Sequence, residues 1–108
     1  MRHDRLEAMT KGWFVGDFAP AAIRSEACEV AIKRYAAGDR EAAHFHAVAV
    51  ELTAIVSGRV RMLGRDWGEG DILTIEPGEA TDFLALTDVV TVVVKLPSVM
   101  GDKHLVDG

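Results

Sequence analysis

The sequence predicts an all-β domain of the sandwich or barrel kind, and three features carry that expectation. Turn-forming residues recur at short intervals, at Gly38-Asp39, Ser57-Gly58, Gly64-Arg65, Gly68-Glu69-Gly70, Pro77-Gly78 and Thr87-Asp88. The stretches between them, at 29–35, 48–56, 59–63, 71–75 and 89–95, are strand-sized and rich in Val, Ile and Thr. A length of 108 residues fits one such domain, large enough to bury a modest core without disulfides or a structural metal. Several short strands at regular spacing then imply a closed or sandwiched sheet.

Each segment adds a constraint. In 28–33, Cys28, Val30 and Ile32 alternate with Glu29, Ala31 and Lys33, which predicts an apolar face on the core and a polar face toward solvent. On that phase Cys28 is a buried small hydrophobe. The runs 48–56 and 89–94 are apolar on both faces, so a second layer, from another sheet or a second copy of the chain, is expected over them. That pattern points to a homodimer. The stretch 11–23 sets Trp13, Phe14 and Phe18 around Gly12 and Gly16, too short and Gly-rich for a helix, and is expected to be irregular, with its aromatics used for packing. No repeat, linker or low-complexity run divides the chain, so a single domain over 1–108 is expected, with the barrel core at about 27–97.

Composition excludes several functions. The formal net charge is -5 and the pI about 5.3, which disfavours a phosphate backbone as partner. With 49% hydrophobic and 27% charged residues the chain has the balance of a globular protein. One cysteine rules out an intrachain disulfide, and no segment has the apolar length of a signal peptide or a membrane span, so the cytoplasm is the expected location. The chain contains neither Asn nor Gln, which leaves Gly, Asp, Ser and Pro to build its turns.

The chemistry concentrates in one stretch: Gly38, five residues, His44, one residue, His46, four residues, Glu51, six residues, Gly58. On a strand, His44 and His46 project to one side and can reach one cation, whereas Glu51, at an odd offset, needs a bend near Ala47 to rejoin them. Two imidazoles and a carboxylate form a facial triad suited to Fe(II), and with modest changes to Mn(II), Zn(II), Ni(II) or Cu(II), leaving positions open for water or substrate. Glu51 lies in the apolar run 47–52, where a carboxylate without a partner is expensive. A metal or the two imidazoles would offset that cost. Without a metal, Glu51 becomes a candidate catalytic general acid or base.

The same residues resemble the first motif of the cupin superfamily, in which His44, His46 and Glu51 match ligand positions. The second cupin motif is similar to Gly70-Asp71-Ile72-Leu73-Thr74-Ile75-Glu76-Pro77-Gly78, after which Thr81 stands where a fourth ligand, normally His, is found. The resemblance implies a double-stranded β-helix, a jelly roll that is often dimeric, and a metal-dependent protein acting on a small polar metabolite. It spans oxygenases, isomerases and epimerases as well as binding proteins, so the alternative is a non-catalytic module that holds a carbohydrate-like ligand without metal. A hydroxyl is a weaker metal ligand than an imidazole. Thr81 therefore leaves three arrangements open: a triad completed by water, Asp82 as a substitute ligand although strand parity turns it away, or a metal-free pocket that binds by hydrogen bonds. Thr81, Thr53 and Tyr35 are the candidate substrate-pocket residues, Thr53 because it shares the parity of Glu51. Arg34, His3 and His104 are expected to be solvated.

Overall fold

A computed structural model describes residues 1–106. A short 3-10 turn, Leu6–Ala8, precedes eleven strands: β1 (Trp13–Gly16), β2 (Ile23–Arg24), β3 (Glu29–Tyr35), β4 (Arg40–His46), β5 (Val50–Ser57), β6 (Arg59–Met62), β7 (Arg65–Gly68), β8 (Ile72–Ile75), β9 (Thr81–Ala85), β10 (Val89–Leu96) and β11 (Lys103–Leu105). They form a six-stranded sheet, β2-β1-β3-β10-β5-β8, and a five-stranded sheet, β11-β4-β9-β6-β7. All pairings are antiparallel except β1 with β2. The all-β jelly-roll expectation is met. The chain switches sheets between β4 and β5, and that switch builds the site.

The stretch 11–23 is less irregular than expected. Trp13 and Val15 pair with Ala31 and Val30, so β1 extends the larger sheet beyond the 27–97 core, and β11 extends the smaller sheet at the other end. The β5 strand begins at Val50, two residues later than its apolar run, because the Ala47, Val48 and Ala49 N–H groups donate to the Asp102 carboxylate and not to a strand. Gly58 is required where β5 turns into β6: its φ is +90° and a Cβ there would strike the Asp88 carbonyl.

The interior has two halves. One is apolar, formed by Ile55, Val60, Met62, Leu73, Ile75, Phe83, Ala85 and Val89, with Tyr35 and Trp67 packed against it. The other is polar. Along β5 the inward series runs Ile55, Thr53, Glu51, and along β9 it runs Ala85, Phe83, Thr81, so each strand passes from hydrocarbon through a hydroxyl toward the charged end.

This division reverses the expected phase of β3. Ala31 is fully buried, and the Glu29 and Lys33 side chains are only 14% and 17% exposed, so the Glu29, Ala31, Lys33 face turns inward. Val30, Ile32 and Cys28 are only half-buried, and Cys28 is not a core residue. The physical reason is that the barrel interior beside β3 carries charges, which pair with Glu29 and Lys33. The usual equation of apolar with inside fails there.

Candidate metal centre

The β4 strand places the two imidazoles. Its pairing with β9 sets Glu41 opposite Phe83 but His44 opposite Thr81, three residues along one strand against two along the other. This is a β-bulge at Ala42 and Ala43, and it lets Glu41 and His44 face the interior together despite their odd offset. His44 Nδ1 lies 3.0 Å from the Ala42 carbonyl oxygen inside the bulge. Donation to that carbonyl leaves Nε2 with its lone pair toward the interior. His46 follows two residues on, buried on the same face, its ring edge-on to His44 at 5.4 Å.

Glu51 comes from the opposite sheet. The turn 47–49 carries the chain across, so the predicted bend near Ala47 exists as a sheet switch, and the carboxylate meets the imidazoles face to face. Donor atoms of His44, His46 and Glu51 all lie within 4.8 Å of one another, and all three residues are buried. Two donors bound at ~2.1 Å to one ion stand at most about 4.2 Å apart, so small side-chain rotations bring the set into range. His46 Nε2 is buried with no hydrogen-bond partner among the described residues. A buried imidazole nitrogen without a partner, in a residue clustered with two further donors, fits a divalent transition ion. Burial first, then the Lys95 and His44 charges, hold His46 down to about 4, so it is neutral and competent as a ligand near pH 7.

Thr53 donates to Glu51 Oε2 at 3.0 Å, which orients the carboxylate and leaves Oε1 as the free donor. Thr81, 6% exposed, stands across from His44 and donates to the Asp82 carbonyl at 2.8 Å. Asp82 itself is exposed and outside the cluster, in keeping with its strand parity. These hydroxyls and Thr91, whose Oγ1 is likewise buried and unpartnered, surround a cavity of about 30 Å³ bounded by His44 and Glu51. Tyr35 reaches the same cavity. Its ring packs on Phe83 at 4.3 Å and its hydroxyl donates to Glu41 at 3.0 Å, while burial and then the Glu41 charge push its pKa well up. Arg34 is exposed, and so is His104, which stacks on Phe45 at 5.2 Å.

Sequence reasoning missed four residues at the site. Lys33 and Glu41 line the cavity as a loose ion pair at 3.6 Å. Although burial works against it, the Lys33 charge and the Tyr35 hydroxyl hold the Glu41 carboxyl below its usual range. Lys95 is the cross-strand neighbour of Glu51. Asp102 ties the turn between His46 and Glu51. Only the inward parity of Lys33 with Ala31 and Tyr35 could have been read locally.

No family model matches the sequence, and no curated protein matches it. Solved structures do share its fold. A protein of Klebsiella pneumoniae described as having a double-stranded β-helix domain aligns with TM-score 0.69 and 20% identity over 78% of each chain. KdgF from Halomonas aligns with TM-score 0.63 and 18% identity over 69% of this chain and 74% of its own. A sugar phosphate isomerase of the cupin superfamily from Silicibacter pomeroyi aligns with TM-score 0.62 and 17% identity over 67% of this chain and 52% of its own. With two sheets in this order, the sheet switch at 47–49 and these structural neighbours, the chain has the double-stranded β-helix fold.

Proposed function

We propose that this protein is a metal-binding cupin that acts on a small polar metabolite, with His44, His46 and Glu51 holding a divalent transition metal such as Fe, Mn, Zn or Ni. The observation that carries this is the buried convergence of the three donors, with His46 Nε2 left without a partner. A bound ion would supply Lewis acidity and open coordination positions, which serve oxygenase, isomerase or hydrolytic chemistry alike. The chain's own groups do the rest. Thr53 orients Glu51, Thr81 and Thr91 offer hydroxyls to a ligand, and the Tyr35 hydroxyl on Glu41 forms a proton-holding pair at the cavity wall. Nothing in the fold requires an oxidising compartment, and among the described residues no helix is long and apolar enough to cross a membrane, which suits action in the cytoplasm.

The test is elemental analysis of protein made in metal-replete medium. About one transition metal per chain is expected, falling below about a tenth in His44→Ala. A wild-type protein holding well under one metal, with His44→Ala equally stable, overturns the metal reading and favours the metal-free binding module that the hydroxyl-lined cavity would also serve. Turnover measured with and without oxygen then separates the reaction types, since loss of activity without oxygen selects the oxygenase.

We further propose that the functional unit is a homodimer. The outer face of the larger sheet aligns Ile32, Val92, Ala54 and Ile72 in one cross-strand row and Val30, Val94 and Leu52 in the next. Ile72 is 68% exposed and Val56 48%. A second copy presenting the same face would cover this patch by a two-fold arrangement. Light scattering at micromolar concentration should give twice the chain mass, and Val92→Lys with Ile72→Lys should give a folded monomer. A wild-type monomer under those conditions refutes the dimer.

A further inference from the structure

We infer that the ligand of this site is a small organic anion whose oxyanion group, carboxylate or phosphate, is held by Lys33 and Lys95 on the face of Trp13 beside the triad. The inference rests on the cavity at His44 and Glu51 being the ligand site, and it adds the charge of the ligand.

The chain is acidic overall, with a formal net charge of -5. Its lysines nevertheless gather at one end. Lys11, Lys33 and Lys103 line the open groove of about 790 Å³ between the N-terminal segment and β4, which shares Lys33, Tyr35 and Glu41 with the interior cavity. Lys95 and Lys103 line a second groove, of about 260 Å³, that reaches His46. An anion approaching the triad by either groove passes a lysine.

Lys33 and Lys95 are the two that are poised. Both side chains are largely buried, 17% and 16% exposed, and both ammoniums lie over one indole, 5.3 and 4.7 Å from the centre of the Trp13 ring. The ring gathers two like charges at a cost that an anion would offset. Each faces a carboxylate only beyond hydrogen-bond distance, Lys33 to Glu41 at 3.6 Å and Lys95 to Glu29 at 3.9 Å. Those carboxylates accept their short hydrogen bonds elsewhere, Glu41 from the Tyr35 hydroxyl at 3.0 Å and Glu29 from the Ser98 hydroxyl at 2.8 Å. Neither lysine donates a hydrogen bond to a protein group among the described residues. Partly desolvated ammoniums with donors free for a ligand are what an oxyanion needs.

The cross-strand pairing of Lys95 with Glu51, and the presence of Lys33 on the cavity wall, set the anion's charge next to the triad. The interior cavity of about 30 Å³ has room for little more than an ion or a water, so the rest of a small ligand lies in the open groove that shares Lys33 and Tyr35 with it. Trp13, expected from the sequence to serve packing, also becomes the platform on which the two cations stand.

The test titrates chelator-treated protein with succinate, with inorganic phosphate and with the neutral polyol erythritol, following tryptophan fluorescence and calorimetry. One of the two anions should bind in the low millimolar range or tighter, erythritol should not, and added sodium chloride should weaken binding. Tighter succinate identifies a carboxylate ligand, and tighter phosphate a phosphate ester. Lys33→Met and Lys95→Met should each weaken binding about tenfold, while Arg61→Ala, at an exposed ion pair with Asp66, should leave it unchanged. Binding of erythritol as tight as that of either anion, or salt-independent binding, overturns the inference in the wild-type protein alone, without depending on whether a lysine variant folds. Lysine variants that fold and bind as wild type overturn it as well. His44→Ala keeps the two proposals apart: anion binding that survives there, with metal lost, supports both. A metal-free wild-type protein with lysine-dependent anion binding defeats only the metal, and a metal-loaded protein indifferent to both anions defeats only this inference.

Discussion

Glu51→Gln should lower metal affinity by about a hundredfold or more while leaving the metal-free protein as stable as wild type, or more stable by roughly 1 kcal/mol. The two signs come from one cause. Glu51 is 9% exposed in an otherwise closed part of the barrel, and burying its carboxylate costs solvation that a metal returns and an apo-protein does not recover in full. The amide keeps the side chain's size and its oxygen, so Thr53 can still donate at the position where it now donates to Oε2. What goes is the charge and the strong ligand. For a domain of this size 1 kcal/mol raises Tm by roughly 4–8 °C, within reach of calorimetry on chelator-treated samples. The metal assay and the melting curve test separate claims. Undiminished metal affinity would remove Glu51 from the ligand set, and a metal-free melting temperature lowered by more than about 5 °C would make it a structural partner of Lys95 and Thr53 instead.

Most of the triad was legible because its information is local. His44 and His46 sit two apart on one strand, Glu51 follows within a turn, and the glycine at Gly58 marks a real positive-φ position. The substitution at Thr81 was legible too, and the register sets that hydroxyl across from His44 as the motif implies. The rest of the site depends on contacts distant in sequence. Nothing near Lys95 announces that it stands beside Glu51, and nothing near Trp13 announces two ammoniums above its ring. The bulge in β4 sits at Ala42 and Ala43, where two alanines carry no pattern to betray a change of parity. Yet it is what turns both Glu41 and His44 inward.

The phase of β3 was misread for a different reason. Alternation says which residues share a face, not which face is inside, and the choice was made by assuming that carbon lies inward. In a barrel whose interior is half a binding site, the inward face of a strand can be the charged one, and Glu29, Ala31, Lys33 and Tyr35 show it. The outward Val30 and Ile32 then join the apolar rows of the larger sheet, so the same misassignment hid both the lysine of the site and part of the face proposed to dimerise.

Asp102→Ala should be the most damaging single change outside the ligands, costing about 2–4 kcal/mol of stability and lowering Tm by roughly 10–25 °C. Its carboxylate, in a residue 7% exposed, accepts from the Ala47 N–H at 3.0 Å, the Val48 N–H at 3.1 Å and the Ala49 N–H at 2.9 Å. Those are the donors of the turn that carries the chain from His46 in one sheet to Glu51 in the other. Removing the acceptor strands them, most expensively at buried Ala49, and frees the turn that spaces two of the three ligands. Asp102→Asn, which keeps one oxygen, should cost less but still weaken metal binding by roughly tenfold to a hundredfold through the misplaced turn. The pH dependence distinguishes this role from simple packing. Burial alone would raise the Asp102 carboxyl, but the Ala49, Val48 and Ala47 N–H groups outweigh it and hold its pKa below the usual range. With the folded-state pKa depressed, the unfolded chain binds the extra proton in acid. The contribution is therefore complete above the unfolded value of about 3.9 and is lost as pH falls through the lower folded value. The stability gap between wild type and Asp102→Asn should accordingly be constant from about pH 7 down to about pH 5 and shrink below about pH 4. A gap that stays flat into strong acid, or an Asp102→Ala protein that melts with wild type and keeps its metal, would show that the turn holds its shape without this residue.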